Sequence, residues 1–140
     1  CVYCRESLTE LRRLREAIEA QGARIAIVHM GAEAQADALL TGFGLQDVER
    51  FSDPERRLYE TFGLERASVG RLFGPKALID LIRTRARLGA SLSRTFGRVV
   101  GDVLQMPGVF LLHEGTIIGD FRPGHVSERP DYLEMAALEC

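Results

Sequence analysis

The chain has few cysteines, no long apolar run and little net charge, and each absence excludes a class of protein. Its 140 residues include three cysteines, too few for the disulfide framework of a small secreted domain. No apolar segment approaches the ~20 residues that span a membrane as a helix. A net charge of −2 gives no overall attraction to nucleic acid or to a membrane surface. We therefore expect no nucleic-acid and no membrane partner.

The length and composition are those of one globular domain that covers residues 1–140. Apolar residues make up 46% of the chain and charged residues 27%, which is ordinary for a globular protein. A domain of this size buries enough surface to fold without a disulfide or a metal. There is no internal repeat, and no secretory signal is recognisable, so we predict a cytoplasmic location.

The most informative motif is the Cys-x-x-Cys formed by Cys1 and Cys4, which precedes a predicted helix. The positive end of a helix dipole and the unpaired N–H groups of a first turn stabilise a thiolate. A second thiol one turn away can then attack the first and close a disulfide. The motif therefore predicts a redox-active pair, although two small buried hydrophobic residues are the alternative.

Zinc binding is the third interpretation of this motif, and it requires two more ligands at suitable spacing. The remaining candidates are scattered along the chain: Cys140, His29, His113 and His125. We therefore expect no metal and no other cofactor. Arg5 follows the motif directly, and it either lowers the pKa of a neighbouring thiol or lies solvated on the helix. Cys140 is either a distant resolving thiol or an exposed tail residue.

The hydrophobic pattern predicts the element order α-β-α-(β)-α-insert-β-β-α. Helices are expected over 4–21, 32–43 and 129–138, and another begins after a cap at Ser52 or Asp53 and ends at Gly63. In that helix Pro54 is expected at the first helical position and Tyr59 in the core. A strand at 24–30 is expected to be buried on both faces, and 47–51 is a possible short strand.

Residues 109–113 and 116–121 are two apolar runs joined by Glu114-Gly115, which predicts a β-hairpin. Before it, an insert over about 65–105 contains an amphipathic pattern after Gly74-Pro75. The stretch 82–101 has five arginines and no acidic residue, and it is either a solvated face or a surface for an anionic partner. The five are Arg83, Arg85, Arg87, Arg94 and Arg98.

Together these elements predict an α/β sandwich of three layers, with a mostly parallel sheet that ends in a C-terminal hairpin. The opening helix needs a strand before it to form a right-handed crossover with the strand at 24–30. We therefore expect this first strand to be missing, in a segment that precedes Cys1 in a longer chain. Met106-Pro107 stands just before the hairpin, where a proline removes no ladder N–H. Most X–Pro bonds are trans, so this residue alone predicts a trans peptide.

Three segments together resemble the thioredoxin superfamily, and more narrowly its peroxiredoxin-like branch, the alkyl hydroperoxide reductase/thiol-specific antioxidant group. They are the Cys-x-x-Cys-Arg motif, residues 52–64 (Ser-Asp-Pro to Phe-Gly-Leu), and residues 103–110 with the hairpin behind them. The resemblance implies a thioredoxin-like fold and an antioxidant thiol oxidoreductase. Its substrate would be a peroxide or a disulfide, and its reductant an external dithiol.

The resemblance also implies a cis peptide at Pro107, with Met106 and Pro107 lining the substrate groove. Under the thioredoxin pattern Cys1 attacks and Cys4 resolves, whereas under a peroxiredoxin pattern Cys4 meets the peroxide. The Pro-x-x-x-Thr/Ser-x-x-Cys loop of typical peroxiredoxins has no counterpart to compare, because Cys4 has three residues before it. A redox-inactive binding or scaffold domain that kept the fold is the alternative function.

Overall fold

A computed structural model describes residues 2–67, 79, 102, 104–125 and 127–138, which form a mixed α/β structure. The helices are α1 (Val2–Ala20), α2 (Glu33–Gly42), α3 (Arg57–Thr61) and α4 (Tyr132–Ala136), and the strands are β1 (Ala26–His29), β2 (Glu49–Ser52), β3 (Val109–His113) and β4 (Thr116–Phe121). The helix predicted after Gly74-Pro75 and the arginine-rich stretch lie outside the described residues.

Helix α1 confirms the first predicted helix and includes the residues between the two cysteines of the motif. Leu8 and Ile18 on its apolar face are 8% and 5% exposed. Gly22 ends the helix with a positive φ of 86°, and its N–H donates to the Glu19 carbonyl at 3.0 Å. This left-handed conformation is the one that glycine adopts after a helix without steric cost.

The main described core lies between β1 and the two helices α1 and α2. Leu8 of α1 and Leu40 of α2 pack there with Leu45 and Val48 from the connection to β2. Ile27 of β1 packs against this cluster. Strands β1 and β2 are parallel, with Val28 opposite Phe51 in register. Burial of these apolar side chains therefore holds α1 over the parallel pair.

The prediction that β1 is buried on both faces is wrong for the described structure. Exposure alternates along the strand, and Val28 is 38% exposed while Ile27 faces the core. Its register partner Phe51 is 51% exposed on the same face. Because side chains alternate across a strand, helices α1 and α2 cover one face of this pair and leave the other to solvent.

The third helix begins later than predicted, with Arg56 as its N-cap, so the predicted N-cap position and the predicted place of Pro54 are both wrong. Asp53 nevertheless supplies the carboxylate that satisfies the first N–H groups of the helix. The Asp53 carboxylate accepts from the backbone N–H groups of Arg57 and Leu58 at 2.9 and 2.8 Å. Helix α3 begins only at Arg57, because Arg56 has a left-handed φ of 61° that separates Pro54 from the helix. Gly63, with a φ of 65°, follows the helix as expected.

The predicted hairpin is confirmed with the same bounds, as β3 and β4 pair in antiparallel register from Val109–Phe121 to His113–Thr116. Glu114 and Gly115 both have positive φ, at 48° and 79°, which is the conformation of a type I′ turn. A bulge lies between Leu111 and Leu112. Turn chemistry and strand pattern therefore agree here.

In the described residues the strands form two two-stranded sheets, β1–β2 and β3–β4, rather than one continuous sheet. The two ends of the insert meet, because Arg66 and Gln105 form an isolated antiparallel β-bridge. The Gln105 side chain also donates to the Leu64 carbonyl at 3.1 Å. Asp102 supports this junction, because its carboxylate contacts Arg66 at 2.7 Å and Arg56 at 3.0 Å.

The last predicted helix is confirmed in a shorter form, as α4, which packs against α1. Asp131 caps it, and its carboxylate accepts from the N–H groups of Leu133 and Glu134, each at 3.0 Å. Arg129, just before the cap, contacts Glu6 of α1 at 3.0 Å and Glu10 at 3.5 Å. These ion pairs join the segment before α4 to the N-terminal half of α1.

Candidate thiol site

The position of Cys4 follows from the direction of α1. The end of α1 connects through a short turn to the start of β1, so the helix runs antiparallel to the strand. Leu8 packs in the cluster that contacts Ile27, and Cys4 lies four residues earlier on the same helix face. The first turn of α1 therefore lies toward the carboxyl end of β1, where open α/β sheets place their ligand sites.

Cys4 is the third residue of the helix, and solvent reaches it at the surface, although many protein atoms surround its thiol. Burial of the sulfur among neighbouring atoms raises the pKa of the Cys4 thiol above its ordinary value of 9.0. Nearby positive charge, including Arg5, and a backbone hydrogen bond act in the opposite direction without cancelling it. The backbone hydrogen bond at the helix start acts in the expected direction, but desolvation by the surrounding protein outweighs it, so the net shift of the Cys4 pKa is upward.

Cys1 lies outside the described residues, so its pairing with Cys4 stays a prediction. The spacing supports that pairing, because residues three apart in a helix turn lie on one side. The direction of the Cys4 pKa bears on the roles within the pair. A thiol whose pKa is raised stays protonated at neutral pH, so it is a poor first nucleophile and a suitable second one.

Asp53 fixes the carboxyl end of the parallel strands. It is 6% exposed, and its own N–H donates to the His29 carbonyl at 2.7 Å. Its carboxylate accepts from three successive N–H groups, the last being that of Tyr59 at 3.3 Å. A buried carboxylate is stable only when such donors satisfy it. Asp53 thus joins β1, β2 and α3 at the same edge of the sheet.

Tyr59 reaches this edge from α3. Its hydroxyl donates to the Val28 carbonyl of β1 at 3.3 Å. Burial raises the pKa of the Tyr59 phenol, and the negative charges of Cys4 and Asp53 raise it further. Sequence analysis placed this tyrosine in the core, whereas it is half-buried and electrostatically linked to Cys4. In the sequence, only the spacing of six residues between Asp53 and Tyr59 indicates that the tyrosine lies near the cap.

Met106 and Pro107 are placed differently from each other. Met106 is 4% exposed and its N–H donates to the Glu65 carbonyl at 3.2 Å, whereas Pro107 is exposed. Every described peptide bond is trans, including Met106–Pro107, so the predicted cis peptide is wrong for this structure. Gly108 follows, and a Cβ there would lie 2.5 Å from the Leu64 side chain. The approach of Pro107 to the thiol site stays a prediction.

His29 occupies the end of β1 beside this edge. Its Nδ1 lies 3.0 Å from the Gly31 carbonyl, which only accepts, so Nδ1 carries the proton. Its Nε2 is buried and lies 3.5 Å from the Glu33 carboxylate. Within the described ranges, no group of three His, Cys, Asp or Glu side chains is arranged to hold a metal ion.

Residues 10–123 match the family model of the AhpC/TSA antioxidant enzymes. The chain belongs to the AhpC/TSA antioxidant enzyme family. This family has a thioredoxin-like fold and consists in general of oxidoreductases. No curated protein and no solved structure matches the chain.

The AhpC/TSA match begins after Cys4, so it covers α2, α3 and the hairpin but not the Cys-x-x-Cys motif. The peroxiredoxin-like resemblance is confirmed at the level of the family. Among the helices in the described part of the chain, none is both long and apolar enough to pass through a membrane.

Proposed function

We propose that this AhpC/TSA protein is a thiol-dependent antioxidant oxidoreductase that reduces a peroxide or a disulfide with the Cys1–Cys4 pair. The observation that carries the proposal is the position of Cys4. It is an exposed thiol in the first turn of α1, at the carboxyl end of parallel strands, in a chain of this family. A Cys-x-x-Cys pair at the start of a helix is where reactive dithiols occur, and Cys4 is the described member of this pair.

Within this proposal Cys1 attacks and Cys4 resolves. Desolvation raises the pKa of Cys4, so this thiol stays protonated at neutral pH, and the proposal assigns the first attack to Cys1. The Cys1 thiolate attacks one oxygen of the peroxide, the O–O bond breaks, and an alcohol or water leaves after taking up a proton. The resulting sulfenic acid is attacked by the Cys4 sulfur, which releases water and forms the Cys1–Cys4 disulfide.

A disulfide substrate follows the same order of steps. Cys1 forms a mixed disulfide and displaces one thiol, and Cys4 then displaces the second. In both cases the two electrons come from the dithiol, and an external dithiol returns them. Arg5 belongs to this proposal as a positive charge that lowers the pKa of the pair, which is the direction of its effect on Cys4.

The finer architecture is part of the proposal. A strand before Cys1, lying between β1 and the hairpin, would join the two described sheets into one three-layer sandwich. Pro107, exposed at the start of β3, and Met106 behind it would then border the substrate groove. A cytoplasmic location is consistent with cysteines that work as thiols.

Disulfide formation tests the proposal directly. A reduced Cys140→Ser protein is treated with hydrogen peroxide or with a small disulfide, and peptide mapping follows the Cys1–Cys4 bond. We expect this bond to form faster than free cysteine reacts with the same oxidant. Cys4→Ser should instead accumulate a sulfenic acid or a mixed disulfide at Cys1. Absence of the bond with both oxidants would favour the redox-inactive scaffold and refute the proposal.

A comparison of the two oxidants separates the two substrate classes. If peroxide loss is no faster than with free thiol while the small disulfide is reduced rapidly, the protein is a disulfide reductase. The reverse result identifies a peroxidase.

A further inference from the structure

We propose that Arg129 is a positioning residue of the thiol site, because its ion pairs with α1 hold the first turn of that helix in place. Its role in turnover rests on the proposed function, whereas the contacts between Arg129 and α1 do not. From the sequence, Arg129 is only the first residue of the last predicted helix, and the match to the AhpC/TSA family assigns it no role.

The first turn of α1 has little local support. It contains no acidic side chain, and Arg5 places a positive charge near the positive end of the helix dipole. In an α-helix the N–H of each residue bonds to the carbonyl four residues earlier, so Glu6 closes the turn that begins at Val2. Leu8 closes the turn that begins at Cys4. The order of the thiol-bearing turn therefore depends on what holds Glu6 and Leu8.

Two contacts hold these residues from different directions. Leu8 is 8% exposed and packs in the core cluster. Glu6 instead contacts Arg129, with 3.0 Å between Oε1 and Nη2. With 3.6 residues in a turn, positions two apart lie about 200° from each other around the helix axis. Contacts on two sides of α1 resist its rotation and the fraying of its first turn better than the core contact alone.

The ion pair between Arg129 and Glu6 is largely withdrawn from solvent, since the two side chains are 19% and 13% exposed. Arg129 Nε also lies 3.5 Å from Glu10, so one guanidinium contacts two successive turns of α1. Glu10 has another partner in Arg13, but that arginine is 70% exposed and 3.7 Å away. Exposed ion pairs contribute little, whereas the loss of one partner from a sheltered pair is costly.

The segment that carries Arg129 is itself well fixed. Pro130 follows it, and a residue before proline is restricted to extended backbone conformations. Asp131 then caps α4 through the N–H groups of its first turn. Tyr132, the first residue of α4, is 7% exposed, and this helix packs against α1. The guanidinium is therefore carried by an ordered element.

For Cys4, the consequence is a thiol that stays desolvated and close to its partner. Desolvation is the largest effect on the Cys4 pKa and raises it, against the backbone hydrogen bond and the charge of Arg5. If the first turn is no longer held, solvent reaches the sulfur and the pKa falls toward its ordinary value of 9.0. The helical turn also keeps residues three apart on one side, which is the arrangement that closure with Cys1 needs.

The first test measures alkylation of Cys4 against pH in a Cys1→Ser, Cys140→Ser protein, so it needs no turnover. Arg129→Gln removes a positive charge and Glu6→Gln removes a negative one, but both break the same ion pair. If the pair holds the turn, both variants should move the transition to lower pH by about half a unit and speed alkylation at neutral pH about threefold. An effect of charge alone would move the two transitions in opposite directions.

Two further variants complete this test. Arg129→Lys keeps the charge but has no planar fork with which to contact both carboxylates, so it should shift the transition in the same direction by less than Arg129→Gln. A charge effect alone predicts no shift for it, which keeps the test decisive if Arg129→Gln does not fold. Arg15→Gln is the matched control, because Arg15 is 20% exposed and pairs with Glu19 and Asp47 beyond the first turns. It should leave the Cys4 profile unchanged.

The second test measures the role in the thiol pair, using a Cys140→Ser protein. Equilibrium with glutathione gives the ratio of Cys1–Cys4 disulfide to dithiol, as two glutathione thiols reduce the bond and leave as glutathione disulfide. Arg129→Gln should shift this ratio toward the dithiol by about threefold to tenfold, because a less ordered turn lowers the effective concentration of one thiol at the other. Arg15→Gln should leave the ratio unchanged.

Opposite shifts of the Cys4 transition in Arg129→Gln and Glu6→Gln would overturn the proposal, and so would no shift in either variant. An equal shift in Arg15→Gln, or an unchanged glutathione equilibrium in Arg129→Gln, would also overturn it. The alkylation test involves no disulfide. Its failure is therefore distinct from failure of the proposed redox function, in which no Cys1–Cys4 bond forms at all.

Discussion

The first turn of α1 and the remainder of that helix differ in what holds them. Cys4 is exposed, while Leu8, one turn later, is 8% exposed and Ile18 is 5% exposed. The later turns pack on the core and are tied to the α2–β2 connection through Arg15 and Asp47, whose two hydrogen bonds measure 2.7 and 2.6 Å. The first turn instead faces the open end of the parallel strands.

This difference assigns stability to one part of the helix and chemistry to the other. Substitution of a residue in the core cluster against which α1 packs should change the free energy of unfolding and leave the reactivity of the thiols unchanged. A residue at the first turn should do the opposite. Four substitutions test this division, from the largest expected effect to the smallest.

Leu45→Ala should be the most destabilising of the four. Leu45 is 0% exposed and belongs to the cluster beneath α1 and α2. Its truncation removes buried apolar volume and leaves a cavity, so denaturant unfolding should show a loss of about 3 kcal/mol. Leu112→Ala is the control, because that side chain is 51% exposed and should cost little. If the folded Leu45→Ala protein alkylates Cys4 at a changed rate, the division between stability and thiol chemistry along α1 is contradicted.

Asp53→Ala should cost about 2 kcal/mol, because three backbone N–H groups lose a buried acceptor. The same measurement on Asp131→Ala is the matched control. Asp131 caps α4 through two N–H groups and is exposed, so its loss should cost about 1 kcal/mol. Equal losses for the two caps would contradict the special position of Asp53 at the sheet edge.

Cys4→Ser should change the free energy of unfolding by less than about 1 kcal/mol, since Cys4 is exposed at a helix end. The same substitution should abolish disulfide closure with Cys1. Denaturant unfolding and peptide mapping of the oxidised protein measure the two effects side by side. A large loss of stability would place Cys4 in the core and refute the division along α1.

Asp47→Asn should have the smallest effect. The Arg15 hydrogen bonds lower the pKa of Asp47 from 3.8 to about 2. Because the folded-state pKa is depressed, the pair stabilises the fold above pH 3.8 and its contribution is lost as pH falls through about 2. Thermal unfolding at neutral pH should change little, since the carboxylate is exposed. The variant should lose part of the stability change between pH 3.8 and about 2, and an unchanged acid profile would contradict the pairing.

Local signals in the sequence predicted the hairpin correctly, and they also predicted the glycines that follow α1 and α3. Glu114-Gly115 lies between two apolar runs, and this short-range chemistry determines both the turn and the register. Gly22 after α1 and Asp53 before α3 act through bonds to residues a few positions away. Such features depend little on the rest of the fold.

Features that depend on distant packing were predicted less well. Whether β1 is buried on one face or on both depends on which other elements pack over Val28. The residues of β1 alone do not determine this. The position of Tyr59 depends on a bond to a strand 31 residues away. The raised pKa of Cys4 depends on desolvation by the fold, which a helix-start rule does not include.

The central claim is the division of roles between Cys1 and Cys4, and the pH dependence of alkylation tests it most directly. Each cysteine is left alone in a protein whose other two cysteines are serine, and its alkylation rate is measured against pH. The account predicts that Cys4 ionises above its ordinary value of 9.0 and that Cys1 ionises at lower pH. If Cys4 ionises below Cys1, Cys4 is the attacking thiol and the account is contradicted.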